Sequence, residues 1–496
     1  MVRSPGASRP APPLAAPDAR RFGARVLDRP TRPPTQTEPG SQPSAYVGHC
    51  LLVSGRPGGR RAQVLERLRA SAAAAHLRVE VDERLDHVAE QLAGVDPVAE
   101  GIVDRLWVST VHLTPTLSSQ AAPREPVDAW PVLRRLRAEG LSAADVRLDH
   151  PAFACPAPAG LPGPDAGGRR PVSLILPDPA AGSTRRRRRR PVVVVPDTGI
   201  GAHPWFGEES QVTRAVVVAG VRLGLGGPMD VGRPEPRNPL DGAVARYAGH
   251  GTFIAGIIRQ QCPQARIESV PVMDDDGGVN ERLLLNTLVA LLVRQAVAVT
   301  RGTAADLLDV LSLSLGYYHE EPGDEQTDPI LAGVLRELGS WGVIVVASAG
   351  NDGTTAPFHP ASFAGQVTGL RPDTVPLLSV GALNPNGTVA HFSNAGPWVT
   401  CDRLGVEVVS TVPITVEGTD QPAEHGEHRG TARSALDPDD FSGGFGTWTG
   451  TSFAAPLLAG QLLTRLARSR SIDLTDRAAA VRRGWAAVRQ EVPDLS

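Results

Sequence analysis

The chain has 496 residues, 41% of them apolar, which is long enough for two or three domains and at least one sizeable core. Every one of its 50 basic residues is arginine, so lysine Schiff-base chemistry, a Ser-Lys dyad and a phosphate-loop lysine are excluded. A net charge of -3 gives no overall electrostatic reason to expect nucleic acid as a partner.

Residues 1–45 carry ten prolines with many arginines and serines, and are expected to be a disordered tail. They lack the apolar stretch of a secretory signal, and no run of about 18 apolar residues occurs anywhere in the chain. A cytoplasmic location with no membrane span is the expectation. Cys50, Cys155, Cys262 and Cys401 are scattered without metal-ligand spacing and read as free thiols.

From Tyr46 the pattern alternates. YVGHCLLV reads as a strand, RAQVLERLRASAAAA as a helix, LRVEVDE and DRLWVSTVHLTP as strands, VDAWPVLRRLRAEG as a helix and ADVRLDH as a strand. The order βαββαβ predicts a small α+β domain over residues 46–150. Residues 151–190, with eight prolines and six consecutive arginines from Arg185 to Arg190, read as a linker. The arginine run suits a solvated tether, with nucleic-acid contact or a self-cleavage site as the other readings.

Beyond Pro191, short β-branched runs such as VVVV and WGVIVVASAGN alternate with helical stretches such as NERLLLNTLVALLVRQAVAV. That alternation predicts an α/β fold over residues 191–470, with a mainly parallel sheet covered on both faces. DRAAAVRRGWAAVRQEV, within residues 471–496, reads as a terminal helix.

Four junctions in this second domain carry polar groups suited to acyl transfer. Asp197 follows a buried strand in VVVVPDTG, His250 stands between two glycines in AGHGTFIAG, Asn351 ends the strand in ASAGN, and Ser452 opens a helix in GTSFAAP. Taken singly, these are a turn aspartate, a structural histidine, a turn asparagine and a helix cap. Taken together they are a carboxylate to orient an imidazole, an imidazole to take a hydroxyl proton, a hydroxyl to attack, and an amide to hold the resulting oxyanion.

DTG at 197–199, HGTFIAG at 250–256, SLG at 314–316, AGN at 349–351 and GTSFAAP at 450–456 closely resemble the motifs of the subtilases, the subtilisin-like serine endopeptidases. The resemblance spans roughly residues 191–470 and implies a subtilisin-like three-layer fold. By it, Asp197 is the orienting carboxylate, His250 the general base and then acid, and Ser452 the nucleophile. Asn351 and the Ser452 amide form the oxyanion hole. Ser314, Leu315 and Gly316 are the edge that pairs with an extended polypeptide substrate. Ala349 and Gly350 stand beside the substrate, and Asp352 lies at the rim of the specificity pocket, where a carboxylate favours basic side chains. HFSNAGPW at 391–398 also matches a family stretch without indicating a role.

No cofactor is expected. Subtilases often hold structural calcium, but no calcium ligand set can be assembled here, and Asp274, Asp275 and Asp276 read as a solvated loop. RLG at 403–405 departs from the family's APG, and residues 411–445 form a long insertion suited to a lid or specificity loop. The first domain has the size and element order of a subtilase propeptide, with a permanent regulatory domain or a structural appendage as alternatives. Besides hydrolysis, the same groups would serve a transpeptidase or macrocyclase, and the fold without turnover would serve as a peptide-binding module. The sequence names no partner protein.

Overall fold

The computed structural model describes residues 22–27, 44–116, 126–154, 168–174, 176–181, 189–207, 211–227, 242–320, 328–364, 371–468 and 474–495. Cys155, Arg185–Arg188 and most of the N-terminal tail therefore lie outside the described residues. Cys50, Cys262 and Cys401 are free thiols.

The first domain is built on a four-stranded antiparallel sheet, in the order Leu77–Val81, Val108–Pro115, Cys50–Ser54, Val146–Leu148. Helices Gly59–Ala73 and Ala129–Ala138 share with it a core of Leu51, Val53, Leu68, Leu133 and Leu136. Three expectations change here. The stretch YVGHCLLV is two strands, Ser44–Val47 and Cys50–Ser54, because Gly48 and His49 turn the chain between them. The tail contributes a strand, Ala24–Leu27, antiparallel to Ser44–Val47 and anchored where Arg25 meets Asp128 at 2.8 Å. Two helices, Asp86–Ala93 and Pro97–Leu106, fill the connection left unassigned between LRVEVDE and the next strand, and they interrupt the βαββαβ order. Asp96 caps the second of these by accepting from Val98 N–H, with Pro97 in the first turn.

These two helices face the second domain and share its core: Leu92, Ile102, Val103 and Leu106 lie in one continuous apolar cluster with Leu284, Leu288 and Leu335. Asn286, fully buried on helix Glu281–Arg301, accepts from Val108 N–H at 3.1 Å and donates to Val108 C=O at 3.0 Å. A side-chain amide thus takes the place of a neighbouring strand at the edge where the two domains meet. By length and composition Glu281–Arg301 could cross a membrane, but 83% of its apolar window is buried, which makes it a core helix.

The second domain is α/β, as expected. Seven parallel strands run in the order Val212–Thr213, Arg266–Pro271, Val192–Asp197, Val310–Leu313, Ile344–Ser348, Leu377–Leu383, Cys401–Leu404. Helices His250–Gln261 and Thr451–Arg468 pack together, as do Glu281–Arg301 and Pro329–Ser340, giving three layers. Val192–Asp197 is buried at every residue, which accounts for its unbroken valine run. The winding reverses at this strand, so a crevice opens beyond its carboxyl end, where Asp197 sits.

The described part of residues 151–190 is docked rather than free. Ala152–Ala154 and Arg170–Pro171 each join a sheet of the second domain, Asp178 pairs with Arg259 at 2.8 Å, and Arg189 pairs with Asp309 at 2.7 Å. Buried countercharges hold these residues where composition suggests a tether. The aspartate run departs likewise from a solvated loop: Asp274 accepts from Asp276 and Gly278 N–H in a tight turn, and Asp275 is buried.

Candidate active site

Four strand ends and two helix starts meet in the crevice. Asp197 ends its strand and is 1% exposed, and its carboxylate receives His250 Nδ1 at 2.8 and 3.0 Å. The Thr198 amide also donates to Asp197 Oδ1, at 2.8 Å. His250 is the first residue of helix His250–Gln261, entered through Gly249 at φ 82°. A side chain at Gly249 would collide with Pro413 as well as strain the backbone, so the tight entry requires glycine. Nδ1 being engaged by Asp197, Nε2 is the nitrogen left for the crevice.

Ser452 is the second residue of helix Thr451–Arg468. It walls, with His250, Asn351, Tyr247, Trp448 and Phe453, a cavity of about 10 Å³, room for about one water. Its hydroxyl donates to Ser314 C=O at 3.3 Å. Pro456 falls inside the helix, beyond its first turn, and so withholds the amide that would bond Ser452 C=O. The Ser314 hydroxyl fills that place at 2.9 Å, tying the serine's backbone to the neighbouring strand edge.

Asn351 is buried, and its Oδ1 accepts from both the amide (2.8 Å) and the hydroxyl (2.9 Å) of Thr451. With the oxygen fixed, the NH2 end is the donor side, and a Cβ on Gly450 would lie 3.1 Å from it. The Thr451 hydroxyl receives Gly350 N–H at 3.1 Å, and Ala349 N–H is used by Val380 C=O at 3.0 Å. Asp352 N–H donates to Asn394 Oδ1 at 3.0 Å, and its carboxylate accepts from the Tyr318 hydroxyl at 2.6 Å. Burial pushes the Asp352 carboxyl above the usual range, with the Tyr318 bond opposing.

The expected substrate edge is a strand, Leu315–Tyr318, and it is already paired. Ala152–Ala154 lies antiparallel to it, with Phe153 opposite Gly316 and Ala154 opposite Leu315, and its other side pairs with Gly278–Val279. Gly316 admits no side chain, because a Cβ would run into His359 C=O and the Phe358 ring.

Several contributors escaped the sequence reading. Trp448, Tyr247 and Phe453 surround His250 with ring centroids 5.4 to 5.7 Å away. Arg169 lies over Trp448 at 4.9 Å and donates to Ala245 and Ala248 carbonyls just before His250. Asn394 accepts from Asp352 and Thr354 amides and donates to the Tyr318 hydroxyl, which gives the HFSNAGPW stretch a role in shaping the loop after Asn351. Glycine-flanked polar residues signalled the centre, whereas these outer groups carry no short motif. The insertion places Pro413 against Gly201 and Gly249, and it raises an exposed hairpin, His425–His428 with Thr431–Ser434.

Residues 189–478 match the model of the subtilase family. The thermophilic serine proteinase of Bacillus sp. (strain AK1) is 30% identical over 173 residues, covering 33% of this chain and 36% of that protein. Subtilisin E of Bacillus subtilis (strain 168) is 24% identical over 237 residues, 46% of this chain and 47% of that protein. The chain thus spans less than half the length of these relatives. Among solved structures, fervidolysin from Fervidobacterium pennivorans aligns at a TM-score of 0.44 and 16% identity, covering 85% of this chain and 55% of that one.

Proposed function

Since the chain belongs to the subtilase family, whose model covers more than half of it, we propose that it is a serine endopeptidase acting through an acyl-enzyme. The observation that carries this reading is His250, held by the buried Asp197 carboxylate, walling the same small cavity as Ser452. For this the Ser452 hydroxyl leaves Ser314 C=O and turns toward the imidazole. The Ser452 Oγ–carbonyl bond then forms as the proton passes to His250. The peptide C–N bond breaks as His250 returns that proton to the departing amine, and water resolves the ester by the same route. Asn351 and the Ser452 amide donate to the oxyanion. A fluorophosphonate probe should label the protein, and Ser452→Ala should abolish both labelling and peptide cleavage. Labelling retained in that variant would defeat the assignment.

The position of Ala152–Ala154 favours a second element. The chain's own segment lies where an extended substrate would add its strand, which supports reading residues 46–150, with the segment that follows them, as an inhibitory prodomain. Phe153→Pro, which cannot keep the ladder, should raise the activity of the full chain toward added peptides. Unchanged activity would leave the domain a structural role. If the arginine run is a processing site, purified protein should convert to a species beginning near Arg190 while Ser452→Ala stays full length. Hydrolysis and transpeptidation use the same groups, and product masses differing by one water separate them.

A further inference from the structure

His150, at the end of the first domain, and His319 with Glu320, just past the substrate edge, meet at the junction of the two domains. They are 1%, 4% and 4% exposed. Glu320 Oε2 lies 2.9 Å from His150 Nε2 and 3.2 Å from His319 Nδ1. All three ligand-type atoms fall within 4.8 Å of one another. His150 Nδ1 is 2.8 Å from Ala45 C=O, which can only accept, so Nδ1 carries a proton and Nε2 is the nitrogen turned to the carboxylate. Among the described residues, neither His150 Nε2 nor Glu320 Oε2 makes an aligned hydrogen bond, although both are buried. An imidazole nitrogen and a carboxylate oxygen buried this close need a positive species between them, a proton or a metal ion.

Asp149, Glu281, Glu320 and Asp328 are buried carboxyl groups, and Arg147 and Arg282 are the buried guanidiniums among them. Arg282 lies 3.2 Å from Asp82, which Arg84 also pairs. Bonds of about 2.0–2.1 Å to N and O ligands give tetrahedral edges of about 3.3–3.4 Å, so the two separations from Glu320 Oε2 need open by only a few tenths of an ångström. A backbone carbonyl holding the remote imidazole nitrogen is the usual support of a ligating histidine.

We propose that His150, His319 and Glu320 bind one divalent transition metal of the zinc class, clasping the first domain to the strand edge of the second. Two imidazoles and a carboxylate suit zinc and leave one coordination position for water. Because Ala152–Ala154 follows His150 by one residue and Leu315–Tyr318 directly precedes His319, the metal would pin both partners of that strand pair.

The experiment uses the full chain carrying Ser452→Ala, so that it cannot cut itself, stripped with a chelator and titrated with Co2+. One equivalent should bind and develop the weak visible bands of nitrogen and oxygen coordination, and Zn2+ should displace it. His319→Ala and Glu320→Gln should each weaken uptake by about a hundredfold. Zn2+ should raise the thermal midpoint of the parent and not that of Glu320→Gln. Absence of stoichiometric uptake overturns the proposal and assigns the positive charge to protons on the histidines. Uptake undiminished in Glu320→Gln also overturns it, and that nearly isosteric change decides the matter even if His319→Ala fails to fold. A thiolate-to-cobalt band overturns it too, by moving the metal to His49, Cys50 and His112. Metal uptake is independent of the hydrolytic reading, which the fluorophosphonate probe tests separately.

Discussion

Two regions of this molecule bury a histidine against a carboxylate, and they wire the pair in opposite senses. In the crevice, Asp197 takes His250 Nδ1, which leaves Nε2 toward the cavity that Ser452 also lines. At the domain junction a backbone carbonyl takes His150 Nδ1, and Glu320 sits against Nε2. The first arrangement leaves the ring's outer nitrogen available to move a proton, whereas the second closes that nitrogen off with a fixed charge. Residue type and burial are the same; which nitrogen is held decides what the ring can do.

The most severe way to break this contrast is to remove the proton-moving set. Ser452→Ala should lower kcat on a peptide substrate by about a millionfold, the loss seen when subtilisin's nucleophile is removed. Asp197→Asn, which frees the ring to adopt the wrong tautomer, should cost about 10⁴-fold. Near-normal turnover in either variant would place the chemistry elsewhere. Asn351→Ala should follow at about 10² to 10³-fold in kcat with KM little changed, because the amide acts on charge that exists only in the transition state. An equal change in KM would recast Asn351 as a substrate-binding group.

The junction is sharpened by Asn286, whose amide makes both bonds to Val108. Asn286→Ala strands a buried N–H and C=O and should cost about 2–4 kcal/mol of unfolding free energy, read from denaturant midpoints. A loss below about 0.5 kcal/mol would mean that these two hydrogen bonds add nothing to the hold between the domains.

How far these regions were legible differs for a physical reason. The crevice was readable because close approach of backbone and reacting atoms demands glycine around Asp197, His250 and Ser452, and that demand leaves short fixed strings. The seven-stranded sheet was readable through β-branched runs buried on both faces. The junction was not, since Arg147, His150, Glu281, Glu320 and Asp328 are remote in sequence and meet only through folding. Helices Asp86–Ala93 and Pro97–Leu106 did carry a signal, apolar residues at Val88, Ala89 and Leu92 and a capped Asp-Pro start, which short length obscured. The stretch read as a linker has turn-rich composition, but the partners that dock it, Asp309, Arg259 and Trp448, lie 80 to nearly 300 residues away in the chain.

A third buried histidine provides a pH test of burial without a carboxylate. His203 accepts from Trp205 N–H through Nδ1 and packs among Trp205, Phe206 and Phe445, and burial lowers its pKa to about 4. The unfolded ring takes up a proton near pH 6.5 while the folded ring stays neutral, so folding loses stability as pH falls from about 6.5 to about 4. The contribution is about 1–3 kcal/mol, and His203→Gln should flatten that limb of the stability profile. An unchanged slope would assign acid sensitivity to other groups.

The smallest expected effect concerns Asp352, a carboxylate held by the Tyr318 hydroxyl. If it borders the specificity pocket, its charge should favour basic side chains by about two- to fivefold in kcat/KM, the scale of a partly solvated ion pair. Asp352→Asn should erase that ratio between an arginine peptide and its uncharged analogue while leaving turnover of the analogue unchanged. Because burial raises its pKa, the preference should fade on acidification sooner than an ordinary aspartate would allow. A preference that survives both the substitution and the lower pH would place the selecting charge on another wall of the pocket, and would leave Asp352 a loop-fixing residue, like the Asn394 that holds its backbone.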